Sequence, residues 1–157
     1  MPSPRPSSRQ GLAAALGLGV AVTGLTATAL PAQADTAGTG LVISEAYGGG
    51  GNSGATLKND FIELYNPTSA PISVNGMSVQ YRSSTGTAAA TGVTPLTGSV
   101  PAGGHYLVQE AAGTGGTSDL PSPDAIGTVN MSGTAFTVWL ATGTTALNPP
   151  TGSAVGT

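Results

Sequence analysis

The chain has 157 residues, of which 7% are charged and 4% aromatic, and it carries 25 Gly and 12 Pro. So few charges exclude long, charge-laced helices, while the Gly and Pro content favours turn-rich β structure. The absence of Cys excludes a disulfide scaffold and every Cys-ligated metal site.

Residues 1–34 read as an export signal. Arg5 and Arg9 form a basic start, an uncharged and largely apolar run follows from Gly11 to Leu30, and Pro31-Ala32-Gln33-Ala34 offers small residues at both positions of an A-x-A cleavage site. Cleavage after Ala34 would release a secreted, extracellular protein beginning at Asp35. The apolar run is about long enough to span a bilayer. Gly11, Gly17, Gly19, Gly24, Thr23, Thr26 and Thr28 dilute it, however, so a membrane association is expected only through an uncleaved signal. The two Arg are not adjacent, which does not indicate a twin-Arg route. Without the signal, Lys58 and Arg82 stand against seven acids. A basic footprint for nucleic acid is therefore absent. After a short linker at 35–40, roughly 120 residues remain, enough for one domain with a single core.

From there, period-two alternation recurs and helical periodicity does not. Strands are expected at 41–47, 60–67 and 74–81. In Met77-Ser78-Val79-Gln80-Tyr81-Arg82 the apolar residues take every second position, the mark of a strand with one buried face. A weaker strand falls at 93–96. Another follows the turn Pro101-Ala102-Gly103-Gly104, at 105–109, and a last one follows Ser132-Gly133, at 135–140. Residues 113–123 form a Gly, Thr, Ser and Pro loop. Short strands at this spacing predict an all-β sandwich.

Several residues invite a chemical reading. Gly49-Gly50-Gly51-Asn52-Ser53-Gly54 satisfies G-x-G-x-x-G after a strand, but the dinucleotide motif needs a helix opening at the loop, and only five residues separate it from the next strand. No Gly-Lys-Ser/Thr makes it a P-loop. A flexible connection with glycines at positive φ is expected instead. Glu45, Asp60 and Glu63 would form an acid/base pair or a cation cage only if their oxygens converged. Alternation groups Glu45 with Leu41 and Ile43, and Glu63 with Phe61 and Tyr65; a meeting across neighbouring strands stays open. The expected role is at strand ends or on a solvated face, and Asp119 and Asp124 are expected to be solvated in a loop.

His105, the single histidine, would need oxygen ligands to complete a metal site, and no Gly-x-Ser-x-Gly elbow accompanies it. It reads as a strand residue. Trp139, Phe136, Phe61 and the four Tyr fall in expected strands, which favours packing over a carbohydrate platform. Asn130-Met131-Ser132 fits a glycosylation acceptor where that machinery exists. No catalytic, cofactor-binding or metal-binding residue is assigned.

Four motifs in order, Val42-Ile43-Ser44-Glu45, Asp60-Phe61-Ile62-Glu63-Leu64-Tyr65-Asn66-Pro67, Val74-Asn75-Gly76-Met77-Ser78-Val79 and Pro101-Ala102-Gly103-Gly104-His105-Tyr106-Leu107-Val108, resemble the lamin tail domain. The resemblance covers 41–147 and implies an immunoglobulin-like β-sandwich of the kind found in nuclear lamins and in secreted bacterial proteins. In the bacterial look-alikes the module often precedes an endonuclease/exonuclease/phosphatase domain. Two departures stand out. Met77 occupies a position where the family commonly has Trp, and can fill that apolar space less rigidly. The 148–157 tail, opening with Asn148-Pro149-Pro150, replaces further expected strands, so a truncated sandwich is expected. Its core at Ile62, Leu64, Val79, Val108 and Val138 would be incompletely covered, and its open edge would pair with a strand-donating partner or with itself. The resemblance implies a secreted, non-catalytic interaction, anchoring or targeting module with a protein or cell-surface partner. The alternative is the amino-terminal accessory fragment of a secreted nuclease or phosphatase whose catalytic domain is absent.

Overall fold

A computed structural model describes residues 38–148; the expected export segment and the tail beyond Asn148 lie outside them. Among the described residues every regular element is a strand: β1 (Val42–Tyr47), β2 (Asn59–Tyr65), β3 (Ile72–Ser73), β4 (Ser78–Ser83), β5 (Gly92–Pro95), β6 (Ser99–Val100), β7 (His105–Ala112), β8 (Ala125–Ile126) and β9 (Phe136–Ala141). Alternation sorts the long strands into faces. Ile62 and Leu64 of β2 and Tyr106 and Val108 of β7 point to the same interior as Val79 of β4 and Leu140 of β9. One sheet runs β1-β2-β7-β8, a second β5-β4-β9, and β3 pairs with β6. The result is the β-sandwich that the strand spacing predicts.

The expected strand at 74–81 begins four residues late. Met77 donates to the Val74 carbonyl at 3.0 Å, and Gly76 sits at φ 78°, so Val74-Asn75-Gly76-Met77 closes as a turn with glycine where positive φ is required. Met77 itself packs against the core. The 113–123 loop ends in a strand that alternation did not reveal, because β8 is two residues long and takes its order from β7, which it pairs in parallel through Val108↔Ala125 and Gln109↔Ile126.

The expected gap in the core is corrected. Ile62, Leu64, Val79 and Val108 are buried, and Val138 is half-buried. Closure comes from Leu41, Val74, Leu96 and Met131, which lie outside the strands, together with Val100 of β6. Isolated apolar residues in turns fill the space that regular strands alone would leave open.

A bulge corrects the expected grouping of Glu45. The register of β1 against β2 runs Val42↔Tyr65 and Ile43↔Leu64, then skips to Glu45↔Glu63 and Ala46↔Ile62. Ser44 is the extra residue, so Ile43 stays inward while Glu45 turns outward. Glu45 and Glu63 therefore share the outer face, whereas Asp60, in step with Ile62, points inward and is buried.

Candidate functional site

The Gly-rich loop is packed, which corrects the flexible connection expected of it. Gly48, Gly50 and Gly51 are buried. A Cβ on Gly50 would collide with the backbone of Asn59 and Asp60, and one on Gly51 with that of Gly113. Gly51 does take the expected positive φ, at 66°. The N–H groups of Gly50, Gly51 and Asn52 donate to Asp60 Oδ1, Leu57 O and Gly49 O. Donors spent within the loop are not arrayed for a phosphate, and the loop runs on into β2 rather than into a helix.

Behind the loop lie two interior acids, Asp60 and Glu110. Asp60 accepts from Gly50 N at 2.9 Å and Met131 N at 2.8 Å. Glu110 accepts from the Thr94 hydroxyl at 2.6 Å and Val129 N at 2.9 Å. Burial pushes both carboxyls above their ordinary values while those bonds pull the other way, and the Asp60 charge pushes Glu110 further up. The register explains why they face inward together: β7 carries one more residue than β2 between Asn59↔Ala112 and Phe61↔Gln109. Glu110 attracted no functional reading in the sequence. Its signal was parity with Tyr106 and Val108, an acid in step with core residues. Each acid ties a loop to the sheets, and both reach the 127–132 segment.

The outer face of β1, β2 and β7 carries the remaining candidates. Ser44 Oγ donates to Glu63 Oε1 at 2.6 Å, and His105 Nδ1 lies 2.9 Å from the same oxygen. The Tyr65 and His105 rings are 4.8 Å apart. The Ser44 bond, above all, holds the Glu63 carboxyl below its ordinary value; burial opposes it, and His105 adds to the lowering through its hydrogen bond and charge. The order is serine to acid to imidazole. A serine nucleophile would instead need the imidazole beside its own hydroxyl. Tyr47 and Phe61 stack with centroids 5.5 Å apart. Glu45, Asp60 and Glu63 thus do not converge, and among the described residues no three acids or histidines gather as a metal group would require.

Asp119 and Asp124, expected to be merely solvated, are exposed but bonded. Asp119 pairs with Lys58 at 2.9 Å, and Asp124 Oδ2 accepts from Leu107 N at 2.8 Å. An open cleft of about 320 Å³ is lined by Tyr81, Thr91, Gly92, Val93, Thr128, Val129 and Asn130 and contains no charged side chain. Exposed Asn130, the acceptor of the glycosylation pattern, lies at it.

Trp139 is buried, though it faces away from the core. Ser78, Gln80 and Arg82 on β4 and Trp139 on β9 form the outer side of the second sheet, yet all are nearly inaccessible. Residues 143–148 run back across them. Ser78 Oγ donates to Gly143 O at 2.6 Å, Gln80 Nε2 donates to Thr145 O at 2.9 Å, Gln80 Oε1 accepts from Leu147 N at 2.9 Å, and Arg82 donates to Asn148 Oδ1 at 3.0 Å. The sequence shows polar residues at alternate positions here, which on their own read as a solvated face; the segment that covers them has no strand pattern.

A family model described as Lamin Tail Domain matches residues 34–155. No curated protein and no solved structure matches the chain.

Proposed function

The chain belongs to the lamin tail domain family, an immunoglobulin-like module, and from that membership we propose that it works outside the cell as a non-catalytic interaction, anchoring or targeting module for a protein or cell-surface partner. One observation supports this most directly: the acids nearest to a chemical role hold structure together. Asp60 and Glu110 fasten loops, and Glu63 is shared by Ser44 and His105. Export rests on Arg5, Arg9 and the Ala32-Gln33-Ala34 site.

The purified protein, assayed on nucleic acids and phosphoesters with Mg²⁺, Ca²⁺ and Mn²⁺, should show no turnover. Hydrolysis that co-purifies with the chain and disappears on Glu63→Ala or His105→Ala would overturn the non-catalytic reading. Amino-terminal sequencing of protein from the medium should begin at Asp35. An intact Met1 confined to membranes would overturn export.

A further inference from the structure

The segment at 143–148 is gripped largely by its backbone. Ser78 and Gln80 recur at alternate positions of β4, and they meet the Gly143 and Thr145 carbonyls and the Leu147 N–H. Gln80 both donates to and accepts from the main chain of that segment, at positions two residues apart. The Leu147 carbonyl is held in turn by Ala90 N at 2.8 Å. Such contacts read a polypeptide main chain and tolerate many side chains. A Cβ at Gly143 would meet open space, so the start of the segment tolerates a side chain.

The far end of this grip is incompletely matched. Arg82 is only 4% exposed, and its Nη1 meets only neutral acceptors, the Ala88 carbonyl at 2.9 Å and the Asn148 amide oxygen. No carboxylate pairs with it among the described residues. Its buried Nε has no acceptor, and neither has the buried Nε1 of Trp139. The guanidinium lies 5.6 Å from the Trp139 ring centroid, which offsets part of the cost of a buried charge but supplies no acceptor. A carboxylate in place of the Asn148 amide would turn a neutral hydrogen bond into a charge-assisted one. Because Asn148 is exposed, that carboxylate would lose little hydration.

We propose that the outer face of β4 and β9 is a docking site for a peptide segment of a partner protein that carries an Asp or Glu at the place of Asn148, with residues 143–148 as its weaker resident occupant. The main-chain contacts select a peptide backbone, and the buried guanidinium without a counter-charge selects the acid. This rests on the interaction-module reading and names the face that would serve it.

Trp139 is the single tryptophan of the chain and lies under the segment, so its emission reports on occupancy. The test uses the full chain carrying Leu147→Pro, which removes the N–H that Gln80 accepts, and two synthetic peptides of residues 142–148, one unchanged and one with Asn148→Asp. Emission should shift to the red and quencher access should rise in the variant. The Asn148→Asp peptide should reverse both, binding about tenfold tighter than the unchanged peptide and losing that advantage at high salt. Equal affinity of the two peptides would overturn the acidic requirement. Absence of saturable binding once Trp139 is accessible would overturn the docking site, and a concentration-dependent dimer that excludes peptide would assign the face to a second copy, overturning the partner. Should Leu147→Pro unfold, Asn148→Asp in the otherwise unchanged chain decides: a higher Tm and slower exchange of the Leu147 amide are expected, and an unchanged or lower Tm overturns the proposal. None of these readouts measures hydrolysis, so the docking face and the non-catalytic reading fail separately.

Discussion

The Thr94 hydroxyl donates to Glu110 Oε1 at 2.6 Å inside the sandwich, joining β5 of one sheet to β7 of the other. Both side chains are nearly inaccessible, so replacing Thr94 by Val leaves a buried carboxylate oxygen without its hydroxyl donor. Thr94→Val should cost about 1 to 3 kcal/mol at pH 7, measured by urea unfolding. Glu110 is already raised above its ordinary value, and protonation removes the charge that most needs the donor. The penalty should therefore shrink in mild acid; a penalty that grows as pH falls would show that the bond is not the source.

Acid acts in opposite directions on the three shifted carboxyls. Asp60 and Glu110 are raised by burial, so the folded chain holds their protons more tightly than the unfolded one. Their contribution is fully present below the unfolded carboxylate range and is lost as pH rises through the folded values. Glu63 is lowered, chiefly by Ser44; its contribution is present above the unfolded value and is lost as pH falls through the folded one. Ser44→Ala should move the Glu63 titration upward, followed by carboxyl carbon NMR, and blunt the loss of stability in strong acid. An unmoved Glu63 titration would rule out the Ser44 bond as its main cause.

The fold was legible where side-chain period and burial coincide. β4 reads through Val79 and Tyr81, and β7 through Tyr106 and Val108. Parity failed at Ser44 because a bulge is one unpaired residue whose position depends on the partner strand. Glu110 was visible as an acid in step with a core row, but an acid's burial depends on the Thr94 and Val129 donors, which are distant in sequence. The cover over Gln80 and Arg82 was illegible for a related reason. Its bonds go mostly to main-chain atoms, which every sequence possesses.

The two kinds of loop glycine should separate on mutation. A Cβ at Gly50 meets backbone, which cannot swing aside as a side chain can, whereas the space at Gly54 is open and the obstacle is its φ of 82°. Gly54→Ala should cost about 1 to 2 kcal/mol, the expense of a left-handed alanine. Gly50→Ala should cost on the order of 3 kcal/mol by forcing the loop off β2, and should also weaken the Gly50 bond to Asp60. Equal costs in thermal or urea unfolding would contradict close packing of the loop.

The buried interior supplies the last prediction, since the sequence implied a poorly covered core and the structure closes it. Leu64 is completely inaccessible, and it is surrounded by side chains from both sheets and from turns. Leu64→Ala should then cost about 2 to 5 kcal/mol, combining lost transfer energy with the cavity left behind. Val138 is half-buried at the margin of the same cluster. Solvent already reaches part of the side chain that Val138→Ala shortens, so its cost should stay near or below about 1 kcal/mol. Turn residues that close the core should behave like Leu64: Leu96→Ala, at a side chain 1% exposed, should fall in the range of about 2 to 5 kcal/mol. If urea unfolding placed Leu96→Ala with Val138→Ala instead, the turns would not be sealing the sandwich, and the open core implied by the sequence would regain its standing.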